Sequence, residues 1–183
     1  MGSRWGHEGP PEEAYSRVTD RGRYLELHAI GRDLVDDLER RYDVSRETTT
    51  QPDRFSSTPA SAVRLVPADP ASAPLAVAFD SFPGLTLRMG RDDEAHLPDC
   101  GCDACDESVE DCAERLLDFV KAVTGGTFGE RLVRDGGWLH EYWYRTDDAG
   151  WSQRTPINRS QRKALRTALP GGELRWAPWI LRE

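Results

Sequence analysis

Hydrophobic positions at helical spacing mark the first long element of the chain. The residues that share this face are Tyr24, Leu27, Gly31, Leu34, Val35, Leu38 and Tyr42. The repeat predicts an amphipathic helix over residues 24–42. Glycine weakens a helix, so we expect Gly31 to allow close contact with a neighbouring element. A shorter helix is predicted over 11–18, with Pro11 in its first turn.

Short apolar runs separated by turn residues follow in the middle of the chain. Runs at 63–66, 75–79 and 85–89 predict three antiparallel strands. Two more strands are predicted at 128–133 and 138–145, on either side of the turn residues Asp135-Gly136-Gly137.

Two further helices complete the predicted elements. The first covers 107–123 and ends at Gly125-Gly126. Its predicted core face carries Val109, Cys112, Leu116, Phe119, Val120 and Val123. The second covers 159–169, with Asn158 or Ser160 as the capping residue.

Together these elements predict an α+β fold in one domain over residues 1–183. We expect an antiparallel sheet of about five strands packed against two or three helices, with a metal-binding loop before the central helix. Residues 1–10 are predicted to form a tail, 45–61 a flexible connector rich in Ser, Thr and Pro, and 91–106 a cysteine-rich loop. Trp176 and Trp179 are predicted to dock the closing segment on the core.

Composition and charge narrow the classes of function. A formal net charge of -8 argues against general binding of nucleic acid or anionic membranes, which requires a basic surface. No apolar stretch approaches the length of a membrane span, and the N-terminus lacks the apolar run of a secretory signal. We therefore expect a cytoplasmic protein without a membrane partner.

The main candidate chemistry is a cluster of cysteines. Cys100, Cys102, Cys105 and Cys112 follow the pattern C-x-C-x2-C-x6-C, and His96 precedes them by four residues. Because the cytoplasm is reducing, such a cluster indicates metal binding or thiol redox chemistry rather than structural disulfides.

The charge of the cluster favours a metal. No Lys or Arg lies between Arg91 and Arg115, whereas acidic residues are frequent there. Acidic surroundings disfavour thiolates, and a divalent cation removes this conflict by supplying positive charge. Zinc suits thiolate and imidazole ligands, so we expect a zinc site formed by Cys100, Cys102 and Cys105.

The fourth ligand of this predicted site stays open. His96 has a suitable position in the loop and is the first choice. Cys112 would have to turn away from an apolar helical face, on which a buried core cysteine is the simpler interpretation. Asp99, Asp106 or a water molecule are the remaining alternatives.

The segment Cys100-Gly101-Cys102-Asp103-Ala104-Cys105-Asp106-Glu107 resembles the signature of an uncharacterised actinobacterial family, a domain of unknown function. The opening 14–19, the segment 42–44 and the closing 176–179 are similar as well. The resemblance implies an intracellular bacterial origin and a shared cysteine motif, and it brings no activity. The family pattern has no cysteine at the position of Cys112, which favours the core interpretation for that residue.

Three functions are consistent with these features. The leading hypothesis is a zinc-stabilised, non-enzymatic module or adaptor that binds another macromolecule, most simply a protein. The first alternative is a metalloenzyme with zinc open to water and Asp106 or Glu107 as general base. The second is a thiol redox or metal-sensing protein that uses Cys102 and Cys105. The segment from His140 begins like a zinc-protease motif, but Tyr144 replaces the second histidine, and the alternation predicts a strand.

Overall fold

The computed structural model describes residues 5–91, 93–145 and 150–183. Within them the chain forms three α-helices and two antiparallel sheets, which confirms the predicted α+β class. The helices are α1 (Glu26–Arg41), α2 (Val109–Thr124) and α3 (Arg159–Ala168). Single 3-10 turns precede α1 at Gly6–Glu8, Glu12–Ser16 and Gly22–Tyr24. No helix in these ranges is both long and apolar enough to span a membrane.

The first sheet is a five-stranded meander. Its strands are β1 (Val44–Gln51), β2 (Ala60–Pro67), β3 (Leu75–Phe79), β4 (Leu85–Met89) and β5 (Asp93–Leu97). Each strand pairs with the next one along the chain. In the register between β4 and β5, Met89 lies opposite Asp93, and Thr86 lies opposite His96. This pairing places β5 at one edge, directly before the cysteines.

The second sheet has four strands in the order β8-β7-β6-β9. They are β6 (Phe128–Arg134), β7 (Trp138–Arg145), β8 (Gly150–Pro156) and β9 (Glu173–Arg175). The strand predicted at His140 is confirmed, since His140 pairs with Leu132 and Thr155 within the sheet.

One apolar core joins the two sheets and the first two helices. Gly31 of α1 lies against β4, where an added Cβ would be 3.0 Å from Leu85 Cδ1, so the predicted close contact is confirmed. At the C-terminus, the indole of Trp179 donates a hydrogen bond to the carbonyl of Ala73 (2.8 Å), and Trp176 is also buried. The closing segment therefore docks on the core as predicted.

The structure differs from the sequence prediction at four strands, and it contains two sheets where one was expected. The predicted flexible connector 45–61 contains most of β1 and the start of β2, and the predicted cysteine-rich loop 91–106 contains β5. Strands β8 and β9 were not predicted. Strands β1 and β8 lie at sheet edges with largely exposed side chains, so they lack the apolar pattern that identifies a half-buried strand. Of the predicted tail, residues 1–4 lie outside the described residues.

Candidate metal centre

The cysteines lie on the connection between β5 and α2. Gly101 has φ +75°, and a Cβ there would lie 2.8 Å from Phe82 Cζ, so the turn between the first two cysteines requires glycine. The connection ends at Ser108, whose hydroxyl accepts a hydrogen bond from the Asp111 amide while the Asp111 carboxylate accepts from Ser108. This capping box fixes where the loop stops and the helix begins.

The turn between Cys102 and Cys105 fastens the N-terminal segment, residues 5–19. The Asp103 amide donates to the carbonyl of Arg17 (2.8 Å), and the Ala104 amide donates to the carbonyl of Ala14 (3.2 Å). The buried Asp103 carboxylate accepts hydrogen bonds from the Thr19 hydroxyl, the Thr19 amide (2.8 Å) and Arg17 Nε (2.9 Å). The bonds from Thr19 and then the Arg17 charge lower the pKa of Asp103 to about 2.

Three of the four cysteines meet in one place. The sulfur atoms of Cys100, Cys102 and Cys105 all lie within 4.8 Å of one another. Cys102 is buried, whereas Cys100 and Cys105 are exposed, so the group opens to solvent on one side. All three are free thiols rather than disulfides.

Hydrogen bonds within the cluster shift the pKa values of Cys102 and Cys105 in opposite directions. Burial raises the pKa of Cys102, but hydrogen bonds from the Cys105 amide and the Cys100 thiol outweigh it and lower the pKa. The hydrogen bond to Cys102, together with burial, raises the pKa of Cys105 to about 12. Of these two thiols, Cys102 is therefore the one that ionises more readily.

The donor set fits a zinc ion. Four ligands at about 2.3 Å from tetrahedral zinc place sulfur atoms about 3.8 Å apart, within the spacing found for the three thiols. Three thiolates from one short loop match the chemistry of structural zinc sites. Cys100, Cys102 and Cys105 could therefore hold a metal together.

The predicted fourth ligands lie outside this group of three. The Nδ1 atom of His96 is 3.0 Å from the Thr86 hydroxyl, which in turn donates to Asp80 Oδ2 (2.7 Å). The Asp99 side chain is exposed, and its amide donates to Glu107 Oε2 (3.0 Å). Cys112 is fully buried in the core, and burial followed by the Glu107 charge raises its pKa to about 12. The identity of the fourth ligand stays a prediction.

The acidic field around the cysteines is weaker than the sequence alone indicates. Arginines from other parts of the chain reach four of the local acids. The pairs are Arg17–Asp103, Arg23–Asp106, Arg88–Glu94 and Arg115–Glu107. Glu107 also accepts the Asp99 amide, so this predicted general base is already engaged. Charge counted along the chain could not reveal these pairs because the partners meet only after folding.

A second concentration of ionisable groups was not predicted from the sequence. Asp93, Glu130 and His140 are buried at 1 %, 0 % and 6 % exposure, and Asp93 and His140 line a large cleft. His140 Nε2 lies 3.4 Å from Glu130 Oε2. In the sequence, the alternation of Asp93, Ala95 and Leu97 on one face indicates the half-buried strand β5. The acidic residues of this strand made the pattern hard to recognise.

Fold and site together define an α+β protein with a three-cysteine cluster of the kind that could bind a metal ion. A family model covers the chain from residue 1 to residue 183. The chain belongs to that family, DUF6226, which is a family of unknown function. Searches of curated proteins and of solved structures each found no significant match.

Proposed function

We propose that the protein binds one zinc ion through Cys100, Cys102 and Cys105 and that the metal has a structural role. The observation that carries this proposal is the convergence of three thiol sulfurs within 4.8 Å on one short loop. Three neighbouring thiols are costly to ionise together, and a zinc ion makes thiolates of all three by supplying the missing positive charge.

The contacts of the loop support a structural role. The residues between Cys102 and Cys105 hold the N-terminal segment through Asp103 and Ala104. A metal that fixes the three cysteines also fixes these two residues, and therefore the attachment of residues 5–19. In the metalloenzyme alternative, the metal faces a substrate cavity. None of the three cysteines is among the residues that line the large cleft in the described part of the chain, although the candidate fourth ligands His96 and Asp99 are.

We propose His96 as the fourth ligand. Its Nδ1 is held by the Thr86 hydroxyl, which is itself oriented by Asp80, so Nε2 is the nitrogen left for a metal. Metal-binding histidines commonly have the other ring nitrogen fixed in this way. Because His96 lies outside the close group, its ligation requires the loop to move towards the strand.

Cobalt substitution tests the ligand set. Cobalt(II) bound by three thiolates in tetrahedral geometry gives strong thiolate charge-transfer bands and visible d–d bands. We expect both bands in the wild type and in Cys112→Ala, which removes a core thiol, and weaker charge transfer with lower affinity in Cys102→Ala. His96→Ala should shift the d–d bands and leave the charge-transfer bands near wild-type intensity.

The same experiment separates the alternatives. An unchanged His96→Ala spectrum contradicts the fourth-ligand proposal alone, whereas equal spectra for Cys102→Ala and wild type contradict the site. If metal-free protein as purified loses thiols reversibly under mild peroxide, the redox alternative replaces the zinc proposal. A non-enzymatic role with a protein partner remains our proposal for the whole molecule; the three cysteines lie outside the cleft, although His96 and Asp99 line it.

A further inference from the structure

A cleft of about 1160 Å³ lies between the two sheets and is separate from the cysteine group. Strand β5 contributes Asp93, and strand β7 contributes His140 and Tyr142. Trp151 of β8 and Trp176 near the C-terminus form part of its wall. Its size is that of a site for a small organic molecule, and sites of this kind combine apolar walls with a few placed polar groups.

Asp93 is the polar group in this cleft whose burial is least offset by hydrogen bonds or opposite charges. It is 1 % exposed, and its Oδ2 atom has no hydrogen-bond partner among the described residues. Burial, followed by the charge of Glu130, raises the pKa of Asp93 to about 8, and only the Glu94 amide offsets this. An unpaired buried carboxyl is costly, so its presence at a cleft calls for a partner from outside.

The neighbouring carboxylate, Glu130, has hydrogen-bond donors at one oxygen, whereas its other oxygen, Oε2, has none among the described residues. Its Oε1 atom accepts hydrogen bonds from Trp176 Nε1 (3.0 Å) and from the Arg91 amide (3.2 Å). Its Oε2 atom lies 3.4 Å from His140 Nε2 and 3.9 Å from Arg91 Nε. The Arg91 guanidinium thus faces Glu130, and Asp93 has no positive charge beside it among the described contacts.

The arginines at the cleft do not form an anion site. Arg64 donates to Glu47 Oε2 (3.0 Å), and Arg115 pairs with Glu107. The Arg91 guanidinium donates to the carbonyl of Ala168 (2.8 Å). Each positive side chain that lines the cleft already has an acceptor, so an incoming anion would have to displace one.

Five aromatic residues contribute to the remaining wall. Tyr144 stacks on Trp151 with ring centroids 6.0 Å apart, and Phe119 contacts both rings edge-on. Tyr142 lies beside the imidazole of His140, at 4.2 Å between centroids. Aromatic faces attract cations, and this attraction strengthens when water is excluded.

We propose that this cleft binds a small organic cation, an amine or guanidine on an apolar body, with Asp93 as its counter-ion and the aromatic wall around the body. The counter-ion Asp93 is not a proposed zinc ligand, although His96 lines the same cleft. The cation supplies the charge that Asp93 lacks, and the apolar body replaces water on the rings.

A series of probes that differ in charge tests the proposal on the full chain at pH 8. The matched probes are 2-phenylethylamine, the neutral 2-phenylethanol and the anionic 3-phenylpropanoate, and benzylguanidine and 1,4-diaminobutane extend the cationic set. Binding is followed by tryptophan fluorescence and by calorimetry. We expect 2-phenylethylamine to bind at least about tenfold more tightly than 2-phenylethanol, with 3-phenylpropanoate the weakest.

Two variants assign the preference to Asp93. Asp93→Asn keeps the shape of the side chain and should reduce the preference for the amine to about threefold or less. Glu94→Gln is the matched control, because Glu94 lines the same cleft but is already paired with Arg88, and it should keep the wild-type preference. Equal binding of amine and alcohol by the wild type, tighter binding of 3-phenylpropanoate, or failure of all cations to bind at millimolar concentration would overturn the proposal. The wild-type series decides this even if Asp93→Asn does not fold.

Discussion

At the scale of single residues, the two main sites handle charge in opposite ways. Asp103 is a buried carboxylate with several donors, and hydrogen bonds from Thr19 followed by the charge of Arg17 hold its pKa low. Asp93 is a buried carboxyl without a cation, and its pKa is raised. The first arrangement stabilises the fold, whereas the second costs stability and is consistent with a binding role.

The raised pKa of Asp93 gives a dependence of stability on pH. Between its ordinary value near 4 and about 8, the folded state binds more protons than the unfolded state. The free energy of unfolding therefore falls as pH rises through this window, and Asp93→Asn should remove that part of the fall. Urea unfolding at about pH 5 and pH 8.5 measures this fall, which should be larger in wild type than in Asp93→Asn by a few kcal/mol at most.

Glu94→Gln serves as the control for this prediction, since the salt bridge of Glu94 with Arg88 is half-exposed. Asp80, whose pKa burial raises to about 6, contributes to the pH dependence of every variant and cancels in the comparison. Identical slopes for wild type and Asp93→Asn would show that Asp93 is ionised in the folded protein throughout this range.

At the scale of elements, the loop between β5 and α2 has two tasks, since it positions three cysteines and attaches the N-terminal segment. Both depend on backbone conformations that most side chains disfavour. Gly101 at φ +75° and Asp106 at φ 46° stand on either side of the cysteine turn. The loop is therefore sensitive to changes that do not touch a sulfur atom.

Gly101→Ala tests this sensitivity. Alanine at this position has a disfavoured backbone φ, and its methyl group lies 2.8 Å from Phe82. We therefore expect the free energy of unfolding to fall by about 1–3 kcal/mol and the affinity for zinc to weaken. Thermal melting and titration with a competing chelator measure the two effects. Gly136→Ala is the matched control, because its φ is +61° but an added Cβ meets nothing within 4 Å. Equal effects of the two substitutions would contradict the role of the Phe82 contact.

Asp103→Asn tests the attachment of the N-terminal segment. The neutral amide loses the charge-assisted bonds to Arg17 and Thr19, so residues 5–19 should open about an order of magnitude more often. Hydrogen exchange at residues 14–19 detects the opening. Glu110→Gln, an exposed change at the start of α2, should leave exchange unchanged, and unchanged exchange in Asp103→Asn would contradict the attachment.

Features set by residues that are close along the chain could be predicted from the sequence, whereas features that depend on long-range contacts could not. Helices α1 and α2 were predictable because their apolar stripes repeat at helical spacing. Strand β1 was not, because its Ser- and Thr-rich sequence resembles a linker and its partner strand begins nine residues after it ends. The cysteine group was predictable because its members are neighbours along the chain. The cleft could not be predicted, because Asp93 and Glu130 lie on different sheets and come together only in the folded protein.

At the scale of the whole molecule, the two sheets share one core. The N-terminal and C-terminal segments are attached to the rest of the protein by different kinds of contact. The C-terminus docks through the buried rings of Trp176 and Trp179. The N-terminal segment is held by polar contacts to the cysteine turn, which is the part that a metal would fix. Loss of metal should therefore loosen the N-terminal side first and leave the sheets assembled until higher temperature.

The metal content of freshly purified protein, combined with thermal melting with and without chelator, tests whether zinc stabilises the cysteine loop. We expect about one zinc per chain in wild type and Cys112→Ala, little in Cys102→Ala, and a chelator-induced fall in the melting temperature of wild type by about 10 °C. Wild-type protein that contains no metal, and whose melting temperature neither chelator nor added zinc changes, would contradict this role of zinc.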